Sequence, residues 1–366
     1  MNFNAKELAS ALGPLMKAQS KTNIIEAYND ILFEGDADAL RVTAASESVR
    51  VTVALPALKH GIPEHPFRVK AKPLAGALEG LPDTPVTIEA DENFSVTLKH
   101  GSGRLTIQGG DGTEFPAPDN EEGHEDITLP AGALRTAIGR VAYAIPKGKD
   151  ASLRPVLQGM ALSRDAERLE AVATDSTLLA VTDVAAGGPR FLEVIPVGTL
   201  AVLPPYLSGT EDIRLSIGVR VSRIFTADGT TIEWRRNNRP YPNYKSVMPN
   251  GGEALEVDRT SLLGTLRRVA LGAPESGLVM LSVAGCPENS LVVRGENFVK
   301  SISVEETSAC SWGGDAIEIG FNCSKLEAAV EHLTGDSVRI AITGPNRPAL
   351  VTGDDGTRVA LMPISL

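Results

Sequence analysis

The sequence predicts an α+β protein made of three repeated modules, each with two helices packed on antiparallel strands. Three observations predict this. Leucine-rich amphipathic segments recur at a fixed interval, apolar stretches of period two lie between them, and polar seams cut the 366 residues into near-equal thirds.

The elements follow in order. Asn4, with Glu7 three residues on, reads as a capping-box start, and Leu8, Leu12 and Leu15 give the first helix its apolar face. Val49, Val51, Val53 and Leu55 alternate as a strand. Leu74, Ala77, Leu78 and Leu81 sit at i, i+3, i+4 and i+7, one face of a second helix, and Gly80 suits its end with a positive φ. Val86 and Ile88 start the next strand. The same series returns as Leu134, Ile138 and Val141 after Pro130, then Leu200, Leu203 and Leu207, then the strand Ile213, Leu215, Ile217. It returns again as Leu262, Leu266 and Val269 after Asp258, then Leu326, Ala329, Val330 and Leu333, then Val338, Ile340 and Ile342. Ser324 with Glu327 reads as the start of that last helix, and Gly335 as its end.

The spacing is regular. Leu8 to Leu134 is 126 residues and Leu134 to Leu262 is 128; Leu74 to Leu200 and Leu200 to Leu326 are 126 each. Turns such as GDAD (35–38) and CPENS (286–290) separate hairpins, and the seams DNEEGHED (119–126) and PNGGEALE (249–256) divide the chain at 1–124, 125–252 and 253–366. Gly13-Pro14 and Pro204-Pro205 predict kinks or early stops in their helices.

Composition narrows the function classes. The chain is 42% hydrophobic and 22% charged, ordinary for a globular protein with real cores, and no apolar run approaches the roughly 18 residues of a membrane span. The start, MNFNAKELAS, has no signal-peptide pattern, so a cytoplasmic protein with no membrane partner is expected. Cys286, Cys310 and Cys323 are odd in number and widely spaced, fitting neither a disulfide framework nor a zinc pair. The net charge of -11 argues on its own against a tight nucleic-acid binder. The charge is segregated, however: the helical segments sum to +7, leaving -18 on the remainder. Helices sharing one face would make that face attractive to phosphates. No phosphate-loop, dinucleotide, nucleophile-elbow or metalloprotease motif is present, and the five histidines are isolated, so no cofactor or metal is expected. Asp175-Ser176 is a hydrolase fragment at most; TDS suits a tight hairpin turn between VAT and LLAV.

Four stretches carry a resemblance: AVATDSTLLAV (171–181), RPYPNYKSVMPN (239–250), EIGFNCSKLEAAVEHL (318–333) and VALMPISL (359–366). In this order they resemble the bacterial DNA sliding clamps, the beta subunits of DNA polymerase III, over the full chain. The resemblance implies three clamp-like domains per chain and two chains closing a six-domain dimeric ring around duplex DNA. It implies a non-catalytic processivity factor that holds the replicative polymerase, the clamp loader and repair proteins by short linear peptides. The peptide pocket carried over by motif comprises Leu157, Thr174, Ser176, Leu178, Leu179, Pro242, Val247, Asn322, Met362, Pro363 and Ile364. The expected DNA-facing residues are Lys21, Lys70, Lys72, Lys147, Lys149, Arg267, Arg268 and Lys325, and the expected homodimer contacts are Leu105, Ile107 and Leu271.

The chain departs from the family at the pocket rim. Where the family usually has a His-Arg pair after a TD-glycine, the positions read Ser176, Thr177 and Leu178; Ser246 stands where a basic residue commonly precedes the valine, and Lys325 stands where an aromatic often follows the IGFN start. Two alternatives remain at this level: a clamp-like recruiting module that does not encircle DNA, and a hydrolase using Asp175.

Overall fold

The computed structural model describes residues 1–20, 22–36, 38–121, 125–237, 239–284 and 289–364. One element order occurs three times. The first pass is β1 (Asn2–Asn4), α1 (Ala5–Met16), β2 (Asp30–Gly35), β3 (Ala39–Ala45), β4 (Val49–Pro56), a short α2 (Ala57–His60), β5 (Phe67–Lys70), α3 (Ala71–Glu79), β6 (Pro85–Ala90), β7 (Ser95–His100) and β8 (Gly103–Gln108), with a small β9 (Gly110–Asp111) appended. The second is β10 (Glu125–Pro130), α4 (Ala131–Val141), a short α5 (Lys149–Leu153), β11 (Gly159–Arg164), β12 (Arg168–Thr174), β13 (Leu178–Ala186), β14 (Phe191–Pro196), α6 (Val197–Val202), β15 (Asp212–Ile217), β16 (Val221–Phe225) and β17 (Thr231–Arg235). The third is β18 (Glu253–Asp258), α7 (Arg259–Val269), β19 (Leu278–Ala284), β20 (Ser290–Asn297), β21 (Ile302–Ala309), β22 (Ile317–Asn322), α8 (Cys323–Glu331), β23 (Ser337–Ile342), β24 (Ala349–Thr352) and β25 (Arg358–Leu361).

By contacts the chain forms two compact units, residues 1–135 with 195–238 and residues 136–194 with 239–366. Unit 1 holds a nine-stranded sheet, β10-β15-β16-β17-β4-β3-β2-β5-β9, and a four-stranded sheet, β1-β6-β7-β8. Unit 2 holds an eight-stranded sheet, β14-β11-β12-β13-β25-β24-β23-β18, and a four-stranded sheet, β21-β20-β19-β22. Apart from β9, the two large sheets have the same strand order, element for element. Each joins two four-stranded halves at one central ladder, β4 to β17 in unit 1 and β13 to β25 in unit 2.

The helices bury the faces that the spacing predicts. Leu8, Leu12 and Leu15 of α1 and Leu74 and Leu78 of α3 are buried in unit 1, where the two helices pack together. In unit 2, α7 and α8 pack together through Leu262, Leu266 and Val269 and through Leu326, Ala329 and Val330. Each such leucine contributes about 2 kcal/mol relative to exposure, which makes these faces the main reason the helices form.

Helix ends agree with the sequence in part. Asn4 caps α1, its Oδ1 accepting from the Lys6 and Glu7 amides at 2.9 and 3.3 Å. Pro14 falls within α1, which ends two residues later at Met16; Pro204 does stop α6, opening a single 3-10 turn, Pro204–Leu207. Two expectations are corrected. The cap of α8 is Asn322, whose Oδ1 takes the Lys325 amide at 3.1 Å, while Ser324 only donates its hydroxyl to that same Oδ1. Gly80 keeps an ordinary helical φ of -83°, whereas Gly335, past α8, is at +105°. Residues 286–288 of the CPENS turn lie outside the described residues, Cys286 among them.

Candidate binding cleft

Unit 2 carries an apolar cleft of about 370 Å³. Eight of the eleven pocket residues expected from the motifs line it: Leu157, Thr174, Ser176, Leu178, Leu179, Pro242, Val247 and Met362. Thr177, Asn243, Tyr244, Pro348 and Ala360 complete the wall. Asn322, Pro363 and Ile364 are not part of it. Asn322 is committed to capping α8 and to the Ser276 carbonyl, and the Ile364 amide donates to Gly320 O at 2.8 Å, which turns the tail away along β22.

The hairpin between β12 and β13 forms one side. Asp175 Oδ1 accepts from the Thr177 and Leu178 amides at 2.9 and 2.8 Å and from the Thr177 hydroxyl at 2.9 Å, the side-chain-to-backbone pattern that makes aspartate a turn residue. Thr174 Oγ1 donates to Leu178 O at 2.8 Å and accepts from the Ser176 amide at 3.0 Å. This tight closure puts Ser176 at φ +76°, a left-handed conformation that a side chain makes costly. Burial works to raise the Asp175 pKa, but Lys325 and the turn amides outweigh it and hold the carboxyl below its ordinary range.

The floor is hydrocarbon. Leu157, Leu179, Tyr241, Tyr244 and Ala360 belong to one buried cluster with Ala161 and Val172. Tyr244 is fixed by its hydroxyl, which donates to the buried Glu170 Oε2 at 2.6 Å, and Arg358 neutralises that carboxylate from 2.6 Å. Burial first, and then the Glu170 bond, push the phenol above its usual pKa. The C-terminal tail supplies the last wall, with the Met362 amide donating to Thr177 O at 2.8 Å. Val247 and Met362 remain 57% and 42% exposed, so apolar surface is left to cover. Such a cleft, with few polar groups and no free charge in its lining, suits hydrocarbon side chains worth about 2 kcal/mol each when buried. Asn243 and Tyr244 sit inside the YPNY motif, and Ala360 shares a strand face with Met362, so all three were legible from sequence. Pro348 had no signal.

The basic candidates are dispersed and mostly paired. Lys70 lies 3.1 Å from Asp30 and 3.3 Å from Glu26. Arg267 bridges Glu327 and Glu331 at 2.9 Å each, and Arg268 binds Glu306 at 2.6 Å. Lys72 and Lys147 are exposed. Lys21 and the side chain of Lys149 lie outside the described residues. Lys325 is paired as well: its ammonium is 2.6 Å from Asp175 Oδ2, at the rim of the cleft, where that half-buried carboxylate needs a cation. Leu105 is half-buried on β8, the open edge of its sheet, whereas Ile107, 8% exposed, is spent largely on its own core. Leu271 is 71% exposed in the turn after α7. Among the described residues no cluster of His, Cys, Asp and Glu is arranged to hold a metal ion, and Asp175 is fully engaged by its turn and Lys325.

Comparison with known proteins adds the family. The family model for the C-terminal domain of the DNA polymerase III beta subunit matches residues 245–365. The beta sliding clamp of Pseudomonas putida is 28% identical over 308 residues, 81% of each chain, and that of Bacillus subtilis 22% over 366 residues, 97% of this chain and 96% of the relative. The fold matches the crystal structure of the DNA polymerase sliding clamp of B. subtilis with a TM-score of 0.89 at 21% identity, covering 100% of this chain and 98% of that one. It matches a sliding clamp of Pseudomonas aeruginosa bound to griselimycin with a TM-score of 0.90 at 22% identity, covering 100% and 99%. With a repeated element order along the whole chain, relatives that span it and a shared fold, the chain is similar throughout to the beta sliding clamps, and its residues 245–365 match the C-terminal domain of the DNA polymerase III beta subunit.

Proposed function

We propose that this protein is a DNA sliding clamp: a homodimer that encircles duplex DNA without reading its sequence, performs no chemistry, and tethers the replicative polymerase, the clamp loader and repair proteins. One observation carries the reading. The element order repeats three times, yet only two of the three equivalent strand junctions are closed within the chain, β4 to β17 and β13 to β25. The third pair, β8 and β21, are both open sheet edges. Pairing β8 of one protomer with β21 of its partner, twice, satisfies every junction and hides edges that would otherwise template aggregation. Leu105, Ile107 and Leu271 are the proposed apolar contacts there. The proposed domains are 1–124, 125–252 and 253–366.

Topology, rather than affinity, retains such a ring on DNA, so a net charge of -11 presents no obstacle. The proposed DNA-facing residues are Lys21, Lys70, Lys72, Lys147, Lys149, Arg267 and Arg268, attracting phosphates weakly enough to slide. The unit 2 cleft is the proposed peptide site, with anchors held between the Asp175 turn and Met362. No helix among the described residues is long and apolar enough to cross a membrane, and the proposed location is the cytoplasm.

The test is topological. Loaded by its clamp loader onto nicked circular DNA, the protein is expected to stay bound at moderate salt and to be lost on linearisation. A second reading, a recruiting module that does not encircle DNA, draws on the carboxylate partners of Lys70, Arg267 and Arg268. It predicts equal retention on circular and linear DNA.

A further inference from the structure

Unit 1 contains a second cleft built on the frame of the first. The hairpin between β3 and β4 has the same length as that between β12 and β13: Ala45 faces Arg50 across it, as Thr174 faces Leu179. On the next ladder Arg50 faces Glu233, as Leu179 faces Ala360. One residue beyond Trp234, the last residue of β17 paired with β4, the Arg235 amide donates to Ser48 O at 3.2 Å, as the Met362 amide does to Thr177 O. Phe115 packs with Ala27, Leu32 and Ala45 as Tyr241 packs with Leu157 and Ala161. Backbone and aromatic wall therefore match.

The floor does not. Where unit 2 has Leu179 opposite Ala360, unit 1 has Arg50 opposite Glu233. The guanidinium lies 5.4 Å from the centre of the Phe115 ring and donates to the Pro116 carbonyl, filling the place where an apolar anchor would sit. Glu233 is held 2.7 Å from Arg223, so a carboxylate also borders the floor. About 130 Å³ of cleft remains at the hairpin tip, against 370 Å³ in unit 2, and the larger hollow of about 720 Å³ that Arg50 and Glu233 also border is lined by the charged Glu34, Asp36, Arg41, Asp119, Glu121 and Arg223, so it offers no apolar seat. An apolar side chain entering here would displace a guanidinium from its carbonyl and from an aromatic face, and would leave those groups without partners.

We infer that Arg50, with Glu233 opposite it, closes a second copy of the peptide cleft and so confines each chain to one apolar peptide. This rests on the reading of the unit 2 cleft as the peptide site. Arg50 thus sets how many peptides a chain takes, by filling the unit 1 cleft that it lines.

The experiment exchanges the two pairs and counts peptides. The probe is a synthetic decapeptide with Leu-Leu-Phe in a Gly/Ser frame, titrated calorimetrically into the full-length protein. The wild type is expected to take one peptide per chain, and the Arg50→Leu/Glu233→Ala variant two. The reverse variant, Leu179→Arg/Ala360→Glu, is expected to weaken binding at least 10-fold. Arg50→Met, which keeps the aliphatic stem and removes only the guanidinium, serves as the second variant should the pair exchange unfold, and is also expected to take two. Two peptides on the wild type, or one on folded opened variants, overturns the inference and leaves the unit 2 site standing. Undiminished binding by the reverse variant overturns the peptide reading itself, and this inference with it.

Discussion

The hairpin tips of the two clefts have equal lengths and equivalent partners, but they solve the turn differently. In unit 2 the tip residue Ser176 sits at φ +76°, forced there by the Asp175 and Thr174 side chains that close the turn. In unit 1 the same position is Glu47, outside the positive-φ set, whose carboxylate instead ties down the Ile24 amide at 2.7 Å. Unit 1 has used this region for its own cohesion, with Arg50 and Phe115 filling the cleft. Unit 2 has left hydrocarbon exposed beside a strained turn. Uncovered apolar surface and local strain persist where something other than stability selects them, and here both mark the same side of the molecule.

Five changes break or sharpen this contrast. The largest effect is expected on removing residues from Met362 onward. In unit 1 the equivalent residue, Arg235, borders the small filled cleft, whereas in unit 2 Met362 is the tail's apolar contribution to the open one. Peptide affinity should fall at least 100-fold in a calorimetric titration while the dimer mass is kept; unchanged affinity would remove the cleft as the peptide site. Tyr244→Phe comes next. It strips the buried Glu170 of one hydrogen bond, a support with no equivalent at Pro118 in unit 1, and should cost about 1 to 2 kcal/mol in denaturant unfolding. Ser176→Gly should stabilise by up to about 1 kcal/mol by relieving the left-handed conformation, while Glu47→Gly should destabilise by a similar amount. If both changes moved stability the same way, the contrast between the tips would be false.

The smallest effect is that of Lys325→Ala. Asp175 has a depressed pKa in the folded state, so its stabilising contribution is complete above the unfolded value of about 3.9 and is lost as pH falls through the folded value. Removing Lys325 should cost under about 1 kcal/mol at pH 7, and the gap between variant and wild type should close as pH drops below about 3.9. A gap that widened in acid would mean the pair is not what lowers Asp175.

The sequence carried the repeat because leucine spacing and alternating strands are direct records of which faces are buried. Leu8, Leu134 and Leu262 fall in equivalent helices for that reason. Asp175 was legible as a turn because its chemistry is local. What was not legible depends on partners distant in sequence. Alternation of Val49, Val51 and Val53 assigns Arg50 to an outer face, and nothing local says that Phe115 and Pro116 cover that face. Lys325 reads as a basic helix residue until a carboxylate 150 positions earlier is found beside it. The cap of α8 was misplaced by two residues because Asn322 and Ser324 are equally good caps on paper, and only the strand preceding the helix decides between them. The pocket residues came from short motifs, which locate backbone well but do not say where a tail turns; Pro363 and Ile364 were expected in the cleft and do not line it for this reason.

Light scattering on the full-length protein at micromolar concentration, alongside a Leu105→Asp variant, bears most directly on the open third junction. Two chains per particle for the wild type, falling to one when an aspartate is placed on β8, is the predicted outcome. A wild-type protein of single-chain mass would mean that β8 and β21 are free ends, and no ring could be built from them.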